Sequence, residues 1–380
     1  MTIFDAVRTY TLRCMAGEEE GMTPRMWFDL LGVFSVFYRT GMVLRRVLFQ
    51  AGVFSTKRLS CPVISIGNIT VGGTGKTSFV ELLATRLRDR GIKPCVLLRG
   101  YGTTLKGRRA VVVSNGTEIL VHPPGAGDEA YLLAKKLPGV PVVMGSDRYS
   151  AGAAVLPRLS PDLFLLDDGF QHLGLHRDLD IVLFNARTPF GYGHLLPRGL
   201  LREPLSGLKR AGLFGITLPA ETFDPGPLKA WLRQRYASTP VLVLLRRPRA
   251  LFRLPGEEEV ELSAVKGERV LAFSGIGDPA SFEGLLRALE ADVVDHRRFP
   301  DHYPYRTADL EALSVTGDRA GARILVTTEK DAVRLEKLPW SAGRLLFALR
   351  TELTLVEGEE ALELALGEVL ADVAPGKVSR

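Results

Sequence analysis

Short apolar runs alternate with amphipathic stretches over the first half of the chain. The runs at 63–66, 94–98, 140–144 and 163–166 have the length and the β-branched content of buried parallel strands. The stretches between them include 79–90, whose apolar residues recur with helical spacing. This alternation predicts an α/β fold in which helices cover both faces of a parallel sheet.

The alternation resumes after a proline-rich connector at 219–227. Strand-like runs at 241–245, 269–273 and 323–327, together with a helical stretch at 280–289, predict a second, smaller α/β unit. We therefore predict four regions: an N-terminal segment at 1–60, a first domain at 61–238, a smaller domain at 239–352, and a C-terminal helix within 353–380 that packs back on the first domain.

A glycine-rich loop joins the first predicted strand to the helix at 79–90. Its core is Gly72, Gly73, Thr74, Gly75, Lys76 and Thr77. Glycines let consecutive backbone N–H groups point into one concavity, and the following helix adds partial positive charge. We expect Lys76 to reach the β- and γ-phosphates of a nucleoside triphosphate, and the Thr77 hydroxyl to bind Mg²⁺. Thr70 stands where the usual pattern has glycine. The loop indicates a sheet of the P-loop NTPase type.

Two acidic pairs stand where carboxylates serve phosphate chemistry. Asp167 and Asp168 follow the run 163–166, as a Walker-B carboxylate follows its strand, and are predicted to lie beside the phosphate loop. Asp128 and Glu129 open a helical stretch. There they either compensate the helix dipole or act as a general base and a Mg²⁺ ligand, and the pattern leaves both roles open.

Two loops carry side chains suited to substrate binding. The loop at 191–204 is rich in glycine and proline and contains Arg198 and Arg202, which suit phosphate recognition or form a solvated surface. His302 follows Asp301 in a second loop. It either tunes a catalytic carboxylate across an interdomain cleft or is an ordinary surface histidine.

The N-terminal segment at 26–54 is unusually apolar for a region outside a sheet. Charged residues interrupt its apolar stretch, so we expect it to be too short to span a bilayer. From Arg39 to Arg58 there are five basic residues and no acidic one. Such a basic amphipathic helix either lies in a membrane interface, attracted by anionic headgroups, or packs on its own domain.

The composition and charge of the chain are compatible with an anionic partner but do not identify it. The 380 residues are 46% hydrophobic and carry a net charge of +6, which permits an anionic partner. Cys14, Cys61 and Cys95 have no metal-ligand spacing and suit a reducing compartment. The polar first twenty residues show no signal peptide.

Seven motifs in combination resemble one family, the tetraacyldisaccharide 4′-kinases of lipid A biosynthesis. They are Gly-Asn-Ile-Thr-Val-Gly-Gly-Thr-Gly-Lys-Thr (67–77), Arg-Gly-Tyr-Gly (99–102), Gly-Asp-Glu (127–129), Asp-Asp-Gly-Phe-Gln-His (167–172), Leu-Arg-Glu-Pro (201–204), Phe-Pro-Asp-His (299–302) and Thr-Glu-Lys-Asp-Ala (328–332). The family has Thr or Ser where the standard loop has glycine, which Thr70 matches. Leu98 and Ser78 depart from the family pattern.

The resemblance implies an ATP- and Mg²⁺-dependent kinase. It would transfer the γ-phosphate to the 4′-hydroxyl of a tetraacyldisaccharide 1-phosphate, as a peripheral protein at the cytoplasmic face of the inner membrane. The resemblance implies contact with anionic lipids there, and the sequence suggests neither a nucleic-acid partner nor an obligate protein partner.

The resemblance implies roles for the residues of this sequence that match the family motifs. It implies Asp128 as general base with His302 as its partner, and catalytic roles for Lys76 and Asp168. Mg²⁺ is assigned to Thr77, Glu129 and Asp167. The nucleotide contacts are the loop residues 72–77 with Gln171 and His172, and the acceptor contacts are Arg99, Arg148, Arg198 and Arg202.

Two other functions fit the phosphate loop. A regulatory P-loop ATPase of the partitioning or metallochaperone type would carry a signature lysine where this chain has Val71. A soluble small-molecule kinase would leave the segment 26–54 without a role.

Overall fold

The structure is a computed structural model that describes residues 3–100, 103–105, 110–256, 258–336, 338–340, 344–371 and 373. Tyr101 and Gly102 of the Arg-Gly-Tyr-Gly motif, and the end of the predicted C-terminal region at 374–380, lie outside the described residues. We call 61–238 the first unit and 239–352 the second unit.

The strands in chain order are β1 (Val63–Gly67), β2 (Pro94–Leu98), β3 (Val111–Ser114), β4 (Val142–Met144), β5 (Leu163–Asp167), β6 (Leu179–Asn185), β7 (Leu213–Leu218), β8 (Val241–Leu254), β9 (Glu258–Val260), β10 (Arg269–Ser274), β11 (Asp292–Arg298), β12 (Ile324–Thr328) and β13 (Leu345–Glu357). The α-helices are α1 (Ile3–Met15), α2 (Met22–Gln50), α3 (Lys76–Asp89), α4 (Asp128–Lys136), α5 (Arg148–Leu159), α6 (Gly226–Arg235), α7 (Pro279–Ala288), α8 (Thr307–Ala320), α9 (Glu329–Leu335) and α10 (Glu359–Leu370).

One sheet runs through both units, and its order in the described residues is β11-β10-β12-β13-β8-β7-β6-β1-β5-β2-β4-β3, with β9 on β8. The strands of each unit pair mainly in parallel, whereas β8 and β13 pair antiparallel and link the two halves. The predicted α/β fold class is confirmed. The domain boundaries stay predictions, since the sheet is continuous across them.

The strand at the centre of the first unit buries both of its faces. Ile64 packs with Phe79 of α3 and with the helices on that side, and Val63 packs with Val155 of α5 on the other. Alternate side chains of a strand point to opposite faces, so an uninterrupted apolar run is what a sheet with helices on both sides requires. Helix α10 joins the α3 layer through Leu362 and Leu366.

Two expectations about element length are wrong. The strand expected at 241–245 continues to Leu254, because β13 pairs with it along its second half, which contains four arginines. The N-terminal segment was expected to be too short to span a bilayer, but helix α2 has 29 residues. By length and composition alone α2 could cross a membrane. A single helix that passes this test is weak evidence for a membrane span.

Candidate active site at the cleft between the two units

A cleft of about 380 Å³ opens at the carboxyl ends of β1 and β5. Its first wall is the phosphate loop at 72–77, and its opposite wall includes Ile276 to Asp278 and His302 of the second unit. Ligands of open parallel sheets bind at this edge, because the loops that follow the strands meet there. The fold therefore brings the two sets of predicted site residues to the same opening.

The phosphate loop has the backbone that its glycines predict. Gly72 and Gly75 have φ angles of 123° and 85°, and helix α3 begins directly after Gly75, at Lys76. Thr70, which replaces the usual glycine, is buried and forms a backbone bridge with Leu201. The substitution thus ties the phosphate loop to the loop at 191–204.

Lys76 lies in a compact charge cluster with Asp168 and Arg202. The Lys76 Nζ atom is 3.5 Å from an Asp168 carboxylate oxygen, and the Arg202 Nη1 atom donates to both oxygens of that carboxylate at 2.8 Å. Burial of the Asp168 carboxyl opposes its ionisation, but Lys76 and Arg202 prevail and hold its pKa below the ordinary value. Two cations and one anion therefore face the place where phosphate binds.

Thr77 and Asp167 form a pair suited to Mg²⁺. The Thr77 hydroxyl donates to Asp167 Oδ2 at 2.9 Å, while the buried Asp167 Oδ1 has no hydrogen-bond partner among the described residues. Burial, with the nearby carboxylates of Glu129 and Asp168, raises the pKa of Asp167 to about 7. A cation would relieve both the unpartnered oxygen and the repulsion.

The protein ligands for this ion are few. The described part of the chain has no group of three His, Cys, Asp or Glu side chains arranged to hold a metal. Mg²⁺ beside a phosphate loop commonly uses one or two protein groups and takes its other ligands from phosphate and water. The Thr77–Asp167 pair fits that coordination.

Asp128 and His302 come from different units and meet at the cleft. His302 Nδ1 lies 3.6 Å from Asp128 Oδ2, and Arg334 Nε donates to the same oxygen at 2.6 Å. Burial raises the pKa of Asp128, but hydrogen bonds from His302 and Arg334 outweigh it and lower that pKa to about 2. Asp128 is therefore ionised at neutral pH.

Lys330 and Arg334 also lie at this site, although no pattern in the sequence predicted a role for either. Lys330 Nζ pairs with Glu129 Oε1 at 2.8 Å, and the Arg334 side chain also pairs with the fully buried Asp331. In this region the sequence offered only the family motif at 328–332. That motif does not indicate that helix α9 packs against the start of α4, which is about 200 residues earlier in the chain.

A family model described as tetraacyldisaccharide-1-P 4′-kinase matches residues 27–371. A tetraacyldisaccharide 4′-kinase of Syntrophus aciditrophicus is 42% identical over 90% of this chain and 93% of its own. Another, of Geobacter metallireducens, is 42% identical over 92% of this chain and 100% of its own. The chain belongs to the tetraacyldisaccharide 4′-kinase family. A crystal structure of Aquifex aeolicus LpxK in complex with ATP matches it with a TM-score of 0.70 and 36% identity, over 90% of this chain and 99% of that one.

In this tetraacyldisaccharide 4′-kinase family member, most predicted site residues line the cleft. They are the loop residues 72–77, Arg99, Glu129, Asp167, Asp168, Arg202 and His302. Asp128 sits at the edge of the cleft, where Arg334 pairs with its carboxylate.

Four other predicted residues are not among those that line the cleft. Gln171 donates to the Asn68 carbonyl oxygen, and the guanidinium of Arg198 stacks over Phe28 of α2. Arg148 is buried close to His172. Burial and the charge of Arg148 lower the pKa of His172 to about 4. A nucleotide role for Gln171 and His172, and an acceptor role for Arg148 and Arg198, stay predictions.

Proposed function

We propose that this chain transfers the γ-phosphate of ATP to the 4′-hydroxyl of a tetraacyldisaccharide 1-phosphate and so forms lipid IVA in lipid A biosynthesis. The observation that carries the proposal is the meeting of the phosphate loop, the Asp167–Asp168 pair and the Asp128–His302 pair around one cleft. The chain also belongs to a family named for this reaction. Phosphoryl transfer depends mainly on alignment and charge neutralisation, for which this cleft has the groups.

The donor end of the reaction uses the first unit. Backbone N–H groups of the loop at 72–77 and the N-terminus of α3 face the phosphates. Lys76 binds the β- and γ-phosphates, and Arg202, held by Asp168, faces the transferred group. Thr77 and Asp167 would hold Mg²⁺, and the Glu129 carboxylate, which acts on Asp167, would assist them. When bound, the ion neutralises charge on the phosphate oxygens.

The acceptor end uses residues from both units. Asp128 is ionised and accepts the proton of the attacking hydroxyl, while His302 orients the carboxylate from the opposite wall. A carboxylate with a low pKa is a weak base. It suffices because the transition state of phosphoryl transfer is loose and the hydroxyl loses its proton late.

Label transfer from γ-labelled ATP to the tetraacyldisaccharide 1-phosphate in mixed micelles tests the reaction. We expect labelled lipid that depends on Mg²⁺, and no label on an acceptor that already carries a 4′-phosphate. ATP turnover with no labelled lipid would contradict the proposal and favour a regulatory ATPase. Phosphorylation of a soluble sugar in preference to the lipid would favour a small-molecule kinase.

Helix α2 contacts the first unit along one face. The Ser35 hydroxyl donates to the Leu195 carbonyl oxygen, the Tyr38 hydroxyl to that of Arg202, and Arg45 to that of Gln171. These contacts extend over ten residues, or about 15 Å of helix. This half of the helix cannot also be surrounded by hydrocarbon, which supports a helix lying on the membrane rather than crossing it.

The opposite face of α2 is exposed and apolar. Residues 3, 4, 7, 11 and 14 apart share a helix face, because each residue turns the helix by about 100°. The exposed side chains at this spacing are Met26, Leu30, Val33, Phe37 and Leu44. We therefore propose a peripheral location at the cytoplasmic face of the inner membrane, with this stripe in the interface and the nearby basic residues on anionic headgroups.

The stripe predicts the effect of charge on membrane binding. Replacing Met26 and Phe37 by glutamate puts two charges on side chains that are 66% and 71% exposed. We expect at least about tenfold weaker partition onto vesicles of phosphatidylglycerol and phosphatidylethanolamine, measured by co-sedimentation. Leu364→Glu, at a 69% exposed leucine of α10, is the matched control and should bind as the unaltered chain does. Equal binding by the Met26/Phe37 variant would contradict the location.

A further inference from the structure

Arg246 stands on β8 at the edge of the sheet where the cleft opens. Strand β8 pairs in parallel with β7, and the last paired residues are Leu218 and Leu245. Arg246 therefore comes directly after the paired segment, next to Pro219, and both line the cleft. Ligands of open α/β sheets bind at the carboxyl ends of the parallel strands, which is where Arg246 lies.

No carboxylate neutralises Arg246. In the described ranges it makes neither a hydrogen bond nor an ion pair, and the Asp278 and Glu81 carboxylates act on it only from a distance. The neighbouring Arg247 and Arg249 each have a partner, at 2.7 Å in Glu221 and 3.5 Å in Glu352. Burial lowers the pKa of the Arg246 guanidinium, and the two distant carboxylates only partly offset it.

A part-buried guanidinium without a partner is unfavourable unless a ligand completes its surroundings. A Cβ atom placed on Gly75 would lie 3.4 Å from the Arg246 Nη2 atom, so the guanidinium touches the last glycine of the phosphate loop. The cations that serve the transferred phosphate, Lys76 and Arg202, are already grouped around Asp168. Arg246 has no described contact with that cluster and lies beside the end of β7.

Much of the cleft lining on the elements near Arg246 is apolar. From the end of β7, the turn after β10, helix α7 and β13 come Leu218, Pro219, Ile276, Phe282, Leu285 and Leu349, together with the polar Asp278, Ser281 and Thr351. Apolar walls with a few polar groups suit a flat heteroaromatic ring better than a polyphosphate.

We propose that Arg246 binds the nucleoside of ATP, its guanidinium packed on the face of the adenine ring between the apolar walls of the two units. A planar, weakly hydrated guanidinium stacks on an aromatic face, and lysine does not replace it in that role. The inference deepens the proposed function by naming a residue that selects the donor. It rests on the use of ATP and not on the identity of the lipid acceptor.

Equilibrium binding without lipid tests this inference on the full chain. Calorimetric titration with the Mg²⁺ complexes of ATP, ADP and inorganic tripolyphosphate separates the nucleoside from the phosphates. For Arg246→Gln we expect about tenfold weaker binding of both ATP and ADP and unchanged binding of tripolyphosphate. Arg246→Lys should lose most of the same affinity, since the ammonium group keeps the charge without the flat face.

Arg247→Gln is the matched control, because it removes a neighbouring arginine whose partner is the exposed Glu221. The control should bind all three ligands as the unaltered chain does, and thermal melting should report whether each variant is folded. Unchanged ATP affinity in both Arg246 variants would overturn the inference. An equal loss for tripolyphosphate would assign Arg246 to a phosphate and overturn it as well. Failure to phosphorylate the lipid would leave these results intact and would count only against the proposed acceptor.

Discussion

Asp128→Asn lowers kcat for lipid phosphorylation by about 10³-fold, since it removes the group that accepts the hydroxyl proton. The ATP concentration for half-maximal rate stays within about twofold, because the donor phosphates bind the loop and Lys76, whose described contacts do not include Asp128. Steady-state rates with the acceptor in mixed micelles, at varied ATP, measure both quantities.

The fold should survive this substitution. Asparagine keeps the size of the side chain, and Arg334 retains its ion pair with Asp331 at 2.8 Å, so its charge is not left unpaired. Asp292→Asn, at an exposed position of the edge strand β11, is the control and should keep full activity. A kcat of Asp128→Asn within about threefold of the unaltered chain would remove Asp128 as the base while leaving the kinase reaction in place.

Removal of the loop lysine has the second large effect. Lys76→Met leaves a side chain of similar length without charge, and we expect kcat to fall by about 10³-fold with weaker binding of ATP. The physical reason is the loss of the cation closest to the charge that develops on the β- and γ-phosphates. Asp168 would still be balanced by Arg202 at 2.8 Å, which limits damage to the site itself.

Label transfer and ATP titration of Lys76→Met together check this prediction. Lys266→Met is the control, because Lys266 is exposed and its ion pair in the described ranges is with the exposed Glu290. If Lys76→Met turned over at the unaltered rate, the loop at 72–77 would not be the donor site. If it bound ATP normally and lost only kcat, Lys76 would act in the transition state alone.

Some of the site follows from local sequence because the residues involved are near one another in the chain. The phosphate loop needs glycines at positive φ followed by the first turn of a helix, and Gly72, Gly75 and Lys76 stand in that order. Asp167 directly ends an apolar strand, so its place at the sheet edge follows from the strand. Both features were predicted from the residues alone.

Other parts of the site join residues that are far apart in the chain. Asp128 and His302 were paired only through the family resemblance, since no local pattern relates residues 174 positions apart. Lys330 and Arg334 reach Glu129 and Asp128 because helix α9 packs against α4. These contacts depend on the packing of the second unit against the first.

The lengths of strands and helices also depend partly on local sequence and partly on tertiary contacts. The apolar run at 241–245 was predicted as a strand, but the polar residues after it join β8 because β13 supplies their hydrogen-bond partners. The charges of α2 interrupt its apolar stretch, which was therefore expected to be too short to span a bilayer, but they do not interrupt the helix. Its backbone hydrogen bonds are local, and its charged side chains find solvent or the first unit, so the helix continues.

The α/β layering, the phosphate loop and the carboxylates at the strand ends could be read from the residues, because periodicity and backbone conformation depend on near neighbours. The cleft between the units, the pairing of Arg334 with Asp128, and the lack of a hydrogen bond or ion pair for Arg246 among the described residues follow from the folded arrangement. Each of these depends on which surfaces meet, and burial and charge pairing act between groups that the chain order does not bring together.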